Sequence, residues 1–383
     1  MTNRDSIVCH PSTDLGLPAL PACSARTAAP PRAGNPDLPA VHKNQSPVSG
    51  ERILGDEEAG NADSPARTET NRSRRKLAML KRSGLFGDRT EGVKIERACS
   101  LDDLREAYRL VHEVYAQTGY ICPEPCRLRM RMFETSPEMA TFVAKVDERV
   151  IGVMSISGDS PELGLPSDTA FKTDLDVLRA QGARLCEATN QVVIEKYRKS
   201  PVATELMRCA VAHLTAAGYD EVIATVSPSH FGFYQLLNFR QVGTERSYSE
   251  KIHDPVVALS MNANQYRRPP SGLDEAARFM HHFMAGGNPY LAQVGRWGEL
   301  AEKRFLRRDL LRRLFITETS FITSCSSREL HVLERHWGHK LFTSVTGNSL
   351  AAALRNWASA FLNVLHLVDD GPKMLAQPRG MVP

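Results

Sequence analysis

Long apolar runs are missing from this chain of 383 residues. No stretch reaches the roughly 18 consecutive apolar residues that a membrane-spanning helix needs, so none is expected. The first twenty residues mix Arg4, Asp5 and His10 with several prolines and hold no apolar core of the signal-peptide kind. Cysteine is sparse, eight in all, without framework spacing, and reads as reduced thiols in a cytoplasmic, bacterial-type setting. Charge of one sign is not in excess: 48 Lys and Arg face 44 Asp and Glu, a formal net charge of +4, too small at this length to imply nucleic acid. Metal-ligand spacing is absent too. Cys122 and Cys126 flank Pro-Glu-Pro with no second pair to follow. His331, His336 and His339 lack the i, i+4 pairing and the glutamate of the helical zinc motif, so no metal is expected.

Composition divides the chain. Residues 1–75 are rich in Pro, Ala, Ser, Asn and Asp without apolar periodicity, which predicts a disordered leader, because such residues bury too little surface to offset ordering entropy. A basic cluster closes it: Arg72, Arg74, Arg75, Lys76, Lys81 and Arg82, read as a solvated hinge, with contact to anionic lipid or an acidic protein as the other reading. Pro269-Pro270-Ser271-Gly272 marks a second boundary, leaving a folded unit over 93–264 and a helical C-terminal region over 272–383.

Within the folded unit the pattern predicts a strand over 93–97, then a helix begun by Ser100 and Asp103 with Leu101, Leu104, Tyr108, Val111 and Tyr115 on its apolar face. A basic helical stretch over 127–133 follows, then two strands joined at Asp147-Glu148-Arg149. A helix over 171–181 leads to a long strand over 184–194. Ser200 caps the next helix, with Pro201 at its first position and Gly218 at its end. Strand, short helix and two more strands complete a mixed α/β sheet with helices on its faces. Beyond the boundary, helices are expected over 274–284, 296–316 and 349–368. On the second, Arg304, Arg308 and Arg312 form one row opposite Leu306, Leu310 and Leu314, a face suited to an acidic carrier protein, a membrane surface or plain solvent.

The segment Ser227-Pro228-Ser229-His230-Phe231-Gly232-Phe233-Tyr234-Gln235-Leu236-Leu237-Asn238-Phe239 carries the chemistry. Fed by one β-rich run and left by another, it places Tyr234 near a sheet edge, where a phenol can protonate a departing thiolate. His230 stands at i, i+4 from Tyr234, so both can face one cavity, His230 as a second base or an orienting group.

Several motifs, in order, resemble the long-chain N-acyl amino acid synthases of the FeeM type. They are Ala107-Tyr108-Arg109-Leu110-Val111-His112 to Tyr115, Gly119-Tyr120-Ile121, Gly164-Leu165-Pro166 with Phe171 and Leu175, the strand start at Arg184 to Glu187, and the helix with Pro228-Ser229-His230 and Phe233-Tyr234. That family is a branch of the GNAT acyltransferase superfamily, related to acyl-homoserine lactone synthases. The resemblance implies a GNAT-like fold and transfer of a fatty acyl group from acyl carrier protein to the α-amine of an amino acid. The alternatives are an acyl-homoserine lactone synthase and a non-catalytic acyl- or signal-binding protein of the same fold.

The donor site implied by the resemblance is Lys196-Tyr197-Arg198-Lys199-Ser200-Pro201-Val202-Ala203. Coenzyme A users of the superfamily set glycines here, so that N–H groups at a helix N-terminus bind pyrophosphate. Arg198 and Ala203 keep the frame, but Pro201 replaces the central glycine and removes a donor. Acyl-phosphopantetheine on an acidic carrier is therefore the expected donor, met by Lys196, Arg198 and Lys199, with acyl-coenzyme A second and no bound cofactor. Glu187 is the candidate base, with a structural pair to Arg184 as the other reading. A backbone N–H near Val192, Val193 and Ile194 is the expected oxyanion donor. Strict alternation would put Glu187, Thr189, Gln191 and Val193 on one face and Cys186, Ala188, Asn190 and Val192 on the other. For the acceptor carboxylate Arg109, Arg129, Arg131 and Arg246 remain open, and for the acyl chain Met130, Met132, Phe133 and Phe142. Asn238, where the family ends its helix with glycine, tolerates the left-handed conformation that the turn requires.

Overall fold

Alternating apolar residues build seven strands, and in the computed structural model they form one sheet. The structure describes residues 65–87, 90–249, 252–296 and 307–347. The strands are β1 (Lys94–Arg97), β2 (Met139–Val146), β3 (Arg149–Gly158), β4 (Leu185–Val193), β5 (Glu221–Val226), β6 (Arg240–Ser249) and β7 (Ile252–Asn262), in the order β1-β2-β3-β4-β5-β7-β6. Every neighbouring pair is antiparallel except β4 and β5. Asp147 and Glu148, both at positive φ, make the two-residue turn between β2 and β3.

Helices cover both faces. Side chains alternate along a strand, so Val143 and Val153 join Leu104, Ala107 and Val111 of α2 (Leu101–Gln117), while Phe142, Met154 and Ile156 join Leu206 and Ala210 of α4 (Val202–Ala217). Leu185 and Ile223 meet Phe171 and Leu175 of α3 (Asp168–Ala180) on the α2 side. Each large side chain buried here contributes about 1.5–3 kcal/mol. Ser100 caps α2 by accepting from Asp103 N at 3.0 Å, as expected, and Gly218, left-handed at φ 79°, ends α4.

Three local expectations are corrected. Helix α1 (Pro65–Arg82) begins inside the stretch expected to be disordered, because Leu77 and Leu80 find a partner surface that the sequence does not reveal. It packs on α7 (Glu275–His281), and Ala276 N donates to Ser73 Oγ at 3.1 Å. The remaining leader lies outside the described residues. The basic stretch over 127–133 is extended, with one short 3-10 turn at Met132–Thr135, since Arg129 N bonds to Tyr108 O and Arg131 N to Glu134. Helix α4 starts one residue later than expected, at Val202, with Val202 N pointing to Ser200 Oγ at 3.4 Å.

The C-terminal region is helical where it is described. Helix α7 runs on as a π-helical turn to Gly286, where Phe279 and Phe283 pack on Phe86. Helices Arg308–Arg312, Phe321–Ser324, Ser327–Trp337 and His339–Thr346, with the π-helical turn Arg313–Thr317, bury Leu311, Leu314, Phe315, Leu333 and Phe342 in the α2 cluster. Leu310 and Leu314 are buried as expected, while Arg304, Leu306 and the helix expected over 349–368 lie outside the described residues. Among the described residues no helix is long and apolar enough to cross a membrane.

Candidate active site

Pairing between β4 and β5 stops early. Only Leu185, Cys186 and Glu187 have partners on β5, so beyond Glu187 and Ile223 the two strands separate and open the sheet. At the same point β4 carries a bulge: Thr189 faces Ser155 and Val192 faces Val153, leaving Asn190 and Gln191 opposite one residue. Asn190 takes the left-handed conformation, φ 54°, that such a bulge demands and that Asn tolerates.

The extra residue resets the alternation. Before the bulge Cys186 and Ala188 face the α4 core; after it Val193 does, while Val192 turns to the α2 core. The strict alternation expected from sequence therefore fails at Asn190. Asn190 joins Ser155 and Glu134 on the α2 side, and Gln191 crosses to meet Tyr234.

A cavity of about 310 Å³ fills the opening and draws on both faces. On the α2 side stand Glu187, Arg129, Arg131, Tyr115 and Tyr248. Glu187 is 3% exposed, and its Oε2 accepts from Ser167 N at 2.7 Å. Burial pushes its carboxyl up to about 7, against the pull of the Ser167 hydrogen bonds and the Arg131 charge. The Gly164-Leu165-Pro166 turn delivers Ser167: Gly164 is at φ 64°, and Asp168 Oδ2 accepts from Leu165 N at 2.8 Å. Arg184 donates to Ala217 O and Gly218 O, so Glu187 is not its partner.

Arg131 is committed to Glu134. Its Nη2 lies 2.6 Å from Glu134 Oε1, and Asn190 Nδ2 donates to the same oxygen at 3.1 Å. Burial opposes ionisation of Glu134, but the two arginines and Asn190 outweigh it and hold the carboxyl below its ordinary range.

On the α4 side stand Tyr234, His230, Arg198, Val193 and Ala203. Helix α5 (Phe231–Leu236), entered through a 3-10 turn at Pro228–His230, carries Tyr234, whose hydroxyl donates to Gln191 Oε1 at 3.2 Å. Burial pushes the Tyr234 phenol well above its ordinary pKa. Phe233 and Phe239 pack edge-on against its ring. The left-handed Asn238, φ 67°, ends the turn as expected. Arg198 Nε donates to Val193 O at 3.3 Å, which folds the donor loop back on the end of β4.

Of the residues expected from sequence, Glu187, His230, Tyr234, Val192, Val193, Arg198 and Ala203 line the cavity together. Ile194, Lys196 and Lys199 are not in its wall. Ile194 N donates to Ile151 O at 2.9 Å, which corrects its place as an oxyanion donor: strand alternation leaves the Val193 N–H on the open side toward β5. Lys196 and Lys199 are exposed, Lys196 lying 5.3 Å from the Tyr197 ring. Met130, Met132, Phe133 and Phe142 are likewise not among the lining residues; apolar wall comes from Val192, Val193, Ala203 and Val226. Tyr248 and Gln191 were missed. Nothing in sequence marks Tyr248, whose hydroxyl donates to Pro166 O at 3.2 Å, and Gln191 needed the bulge.

A mixed sheet opened between two parallel strands, with a buried carboxyl on one face and a buried phenol on the other, is an arrangement suited to acyl transfer. Residues 106–262 match the family model described as N-acyl amino acid synthase FeeM, and that match supports an acyltransferase. Solved structures of similar fold include FeeM, an N-acyl amino acid synthase from uncultured soil microbes, at 24% identity and a TM-score of 0.42, covering 49% of this chain and 97% of that one. BjaI, a CoA-dependent acyl-homoserine lactone synthase, is 13% identical with a TM-score of 0.38, covering 54% and 100%. An N-acetyltransferase from Staphylococcus aureus Mu50 is 17% identical with a TM-score of 0.34, covering 45% and 98%. A comparison with curated proteins returned no match.

Proposed function

We propose that the protein moves a long-chain fatty acyl group from the thioester of an acyl carrier protein to the α-amine of an amino acid, giving an N-acyl amino acid. The observation that carries this reading is the pairing of Glu187 and Tyr234 in one cavity, from opposite faces of the opened sheet. A thioester in the gap between β4 and β5 would have a base on one side of its carbonyl and an acid on the other.

The acceptor ammonium gives a proton to the Glu187 carboxylate, directly or through one water. The freed amine attacks the thioester carbon; a C–N bond forms, and the Val193 N–H is placed to receive the oxyanion. Collapse breaks the C–S bond, and Tyr234 transfers its proton to the departing sulfur. The phenolate regains a proton from the nitrogen, leaving amide and thiol. A carboxyl near pKa 7 suits the first step, because it is half ionised at neutral pH and still basic.

Carrier protein is favoured over coenzyme A by the start of α4. Pro201 supplies no N–H there, and the segment after α1 lies against it, with Leu85 O accepting from Thr204 Oγ1 and Gly84 and Gly87 close to Lys199 and Pro201. The exposed Lys196 and Lys199 suit an acidic protein more than they suit a nucleotide.

The test is purified protein with acyl-carrier thioester and a mixture of amino acids, read by carrier thiol release and by mass spectrometry of the lipid product. An N-acyl amino acid with matching thiol is expected. Absence of thiol release overturns the enzyme reading, a lactone product points to the acyl-homoserine lactone alternative, and equal use of acyl-coenzyme A overturns the donor assignment.

A further inference from the structure

Four arginines were open for the acceptor carboxylate, and the structure separates them. Arg109 is exposed on α2. Arg246 is held by Asp174 at 2.7 Å, donates to Ala170 O and lies over the Phe171 ring. Arg131 lines the cavity, but Glu134 neutralises it. Arg129 also lines the cavity, and no carboxylate among the described residues pairs with it.

Its surroundings are those of a held but unsatisfied cation. The backbone is fixed by Arg129 N donating to Tyr108 O at 3.0 Å, and the guanidinium sits 5.9 Å from the Tyr115 ring centre. The Nε is buried without a hydrogen-bond partner. Burial and the neighbouring Arg131 both work against its charge. A buried donor left unpaired costs free energy, more for a charged group, which an anionic ligand would recover. Glu134 is spent on Arg131, and Glu187 is bonded to Ser167. Neither carboxyl group on the α2 side of the cavity is therefore hydrogen-bonded to Arg129, and with Glu187 protonated the two arginines face Glu134 alone.

We propose that Arg129 grips the carboxylate of the acceptor and is the residue that makes this site select an amino acid over a plain amine. The proposal rests on the amide-forming reading above. Its geometry agrees with that reading: Arg129 and Glu187 stand on the same side of the sheet, and both act on the phenols of Tyr115 and Tyr248. An α-amino acid carries its amine two bonds from its carboxylate carbon, so an acceptor held at Arg129 turns its nitrogen toward the base.

For each amino acid of the mixture the test compares three acceptors, the acid, its methyl ester and its decarboxylated amine, in the wild type and in Arg129→Met and Arg129→Lys. In the wild type the amino acid is expected to lead by on the order of 100-fold in kcat/KM, the scale of a charge-assisted pair. Arg129→Met should lose that lead through KM for the amino acid, while KM for the donor and turnover of the amine hold. Arg129→Lys should regain part of it. A wild type that acylates ester and amine as well as the amino acid overturns the inference and leaves N-acyl transfer standing. A wild type that acylates none of the three overturns the acceptor reading and the inference with it. Arg129→Met protein that melts like the wild type yet keeps the full preference for the carboxylate also overturns it. Should that variant not fold, wild-type discrimination and Arg129→Lys decide the matter alone.

Discussion

The side-chain amide of Asn190 donates to Glu134 Oε1 at 3.1 Å, tying the bulge of β4 to an ion pair whose glutamate is fully buried. The bulge sends Gln191 to Tyr234 and ends the regular alternation on which Glu187 stands. Local backbone geometry at the cavity is thus tied to charges in the loop before β2.

Glu134→Ala should destabilise the protein by about 3–5 kcal/mol, because it strands the Arg131 guanidinium in a buried site. Asn190→Ala is expected to cost less in stability and more in turnover, since the ion pair survives while the bulge loses its tether. Chemical denaturation beside steady-state kinetics separates the two; equal effects on stability would count against the tether.

Glu187 gives a pH dependence of defined sign. If Glu187 is the proposed base it acts when ionised, so kcat/KM should rise with pH through about 7 and then level off. Stability runs the other way. The native carboxyl titrates near 7 against an ordinary 4.5, so the folded state binds the extra proton between those values and stability falls as pH rises through that window. Glu187→Gln should lose turnover and, at pH 8, gain up to about 3 kcal/mol. Melting curves of both proteins at pH 4.5 and 8 check this.

Tyr234→Phe keeps the ring packed between Phe233 and Phe239 and removes only the hydroxyl. A fall in kcat of about 10²- to 10³-fold with an unchanged melting temperature is expected if the phenol protonates sulfur. A donor with a more acidic thiol leaving group should restore much of the loss, since its thiolate departs without a proton.

Trp337 fastens the C-terminal helices to the acyltransferase unit: its Nε1 donates to Thr135 O at 2.9 Å and its ring lies between Phe315 and Phe342. Trp337→Ala should cost about 3–5 kcal/mol. Limited proteolysis should then cut first near residues 307–347. Thr135 lies directly after Glu134, so a loss of turnover in this variant would connect that docking to the site.

Much of the fold was legible because it follows from local rules. Apolar alternation marked the strands, Ser100 and Gly218 marked helix ends, and the neighbourhood of His230 and Tyr234 followed from helical spacing. Two of the misreadings turn on a partner outside the segment itself. Helix α1 is ordered by α7, some 200 residues on, and the stretch over 127–133 is drawn out by Tyr108 and Glu134.

By itself the sequence determined which groups are available: a carboxyl on the long strand, a phenol on the short helix, a proline where a coenzyme A site wants an N–H, and a surplus of candidate arginines. Only the tertiary structure decided how they are used. Burial set Glu187 near neutrality, the bulge at Asn190 placed Gln191 beside Tyr234, and Glu134 took Arg131 out of contention and left Arg129 without an ion pair among the described residues. Charge state and strand parity depend on what surrounds a residue in space, which sequence order does not record.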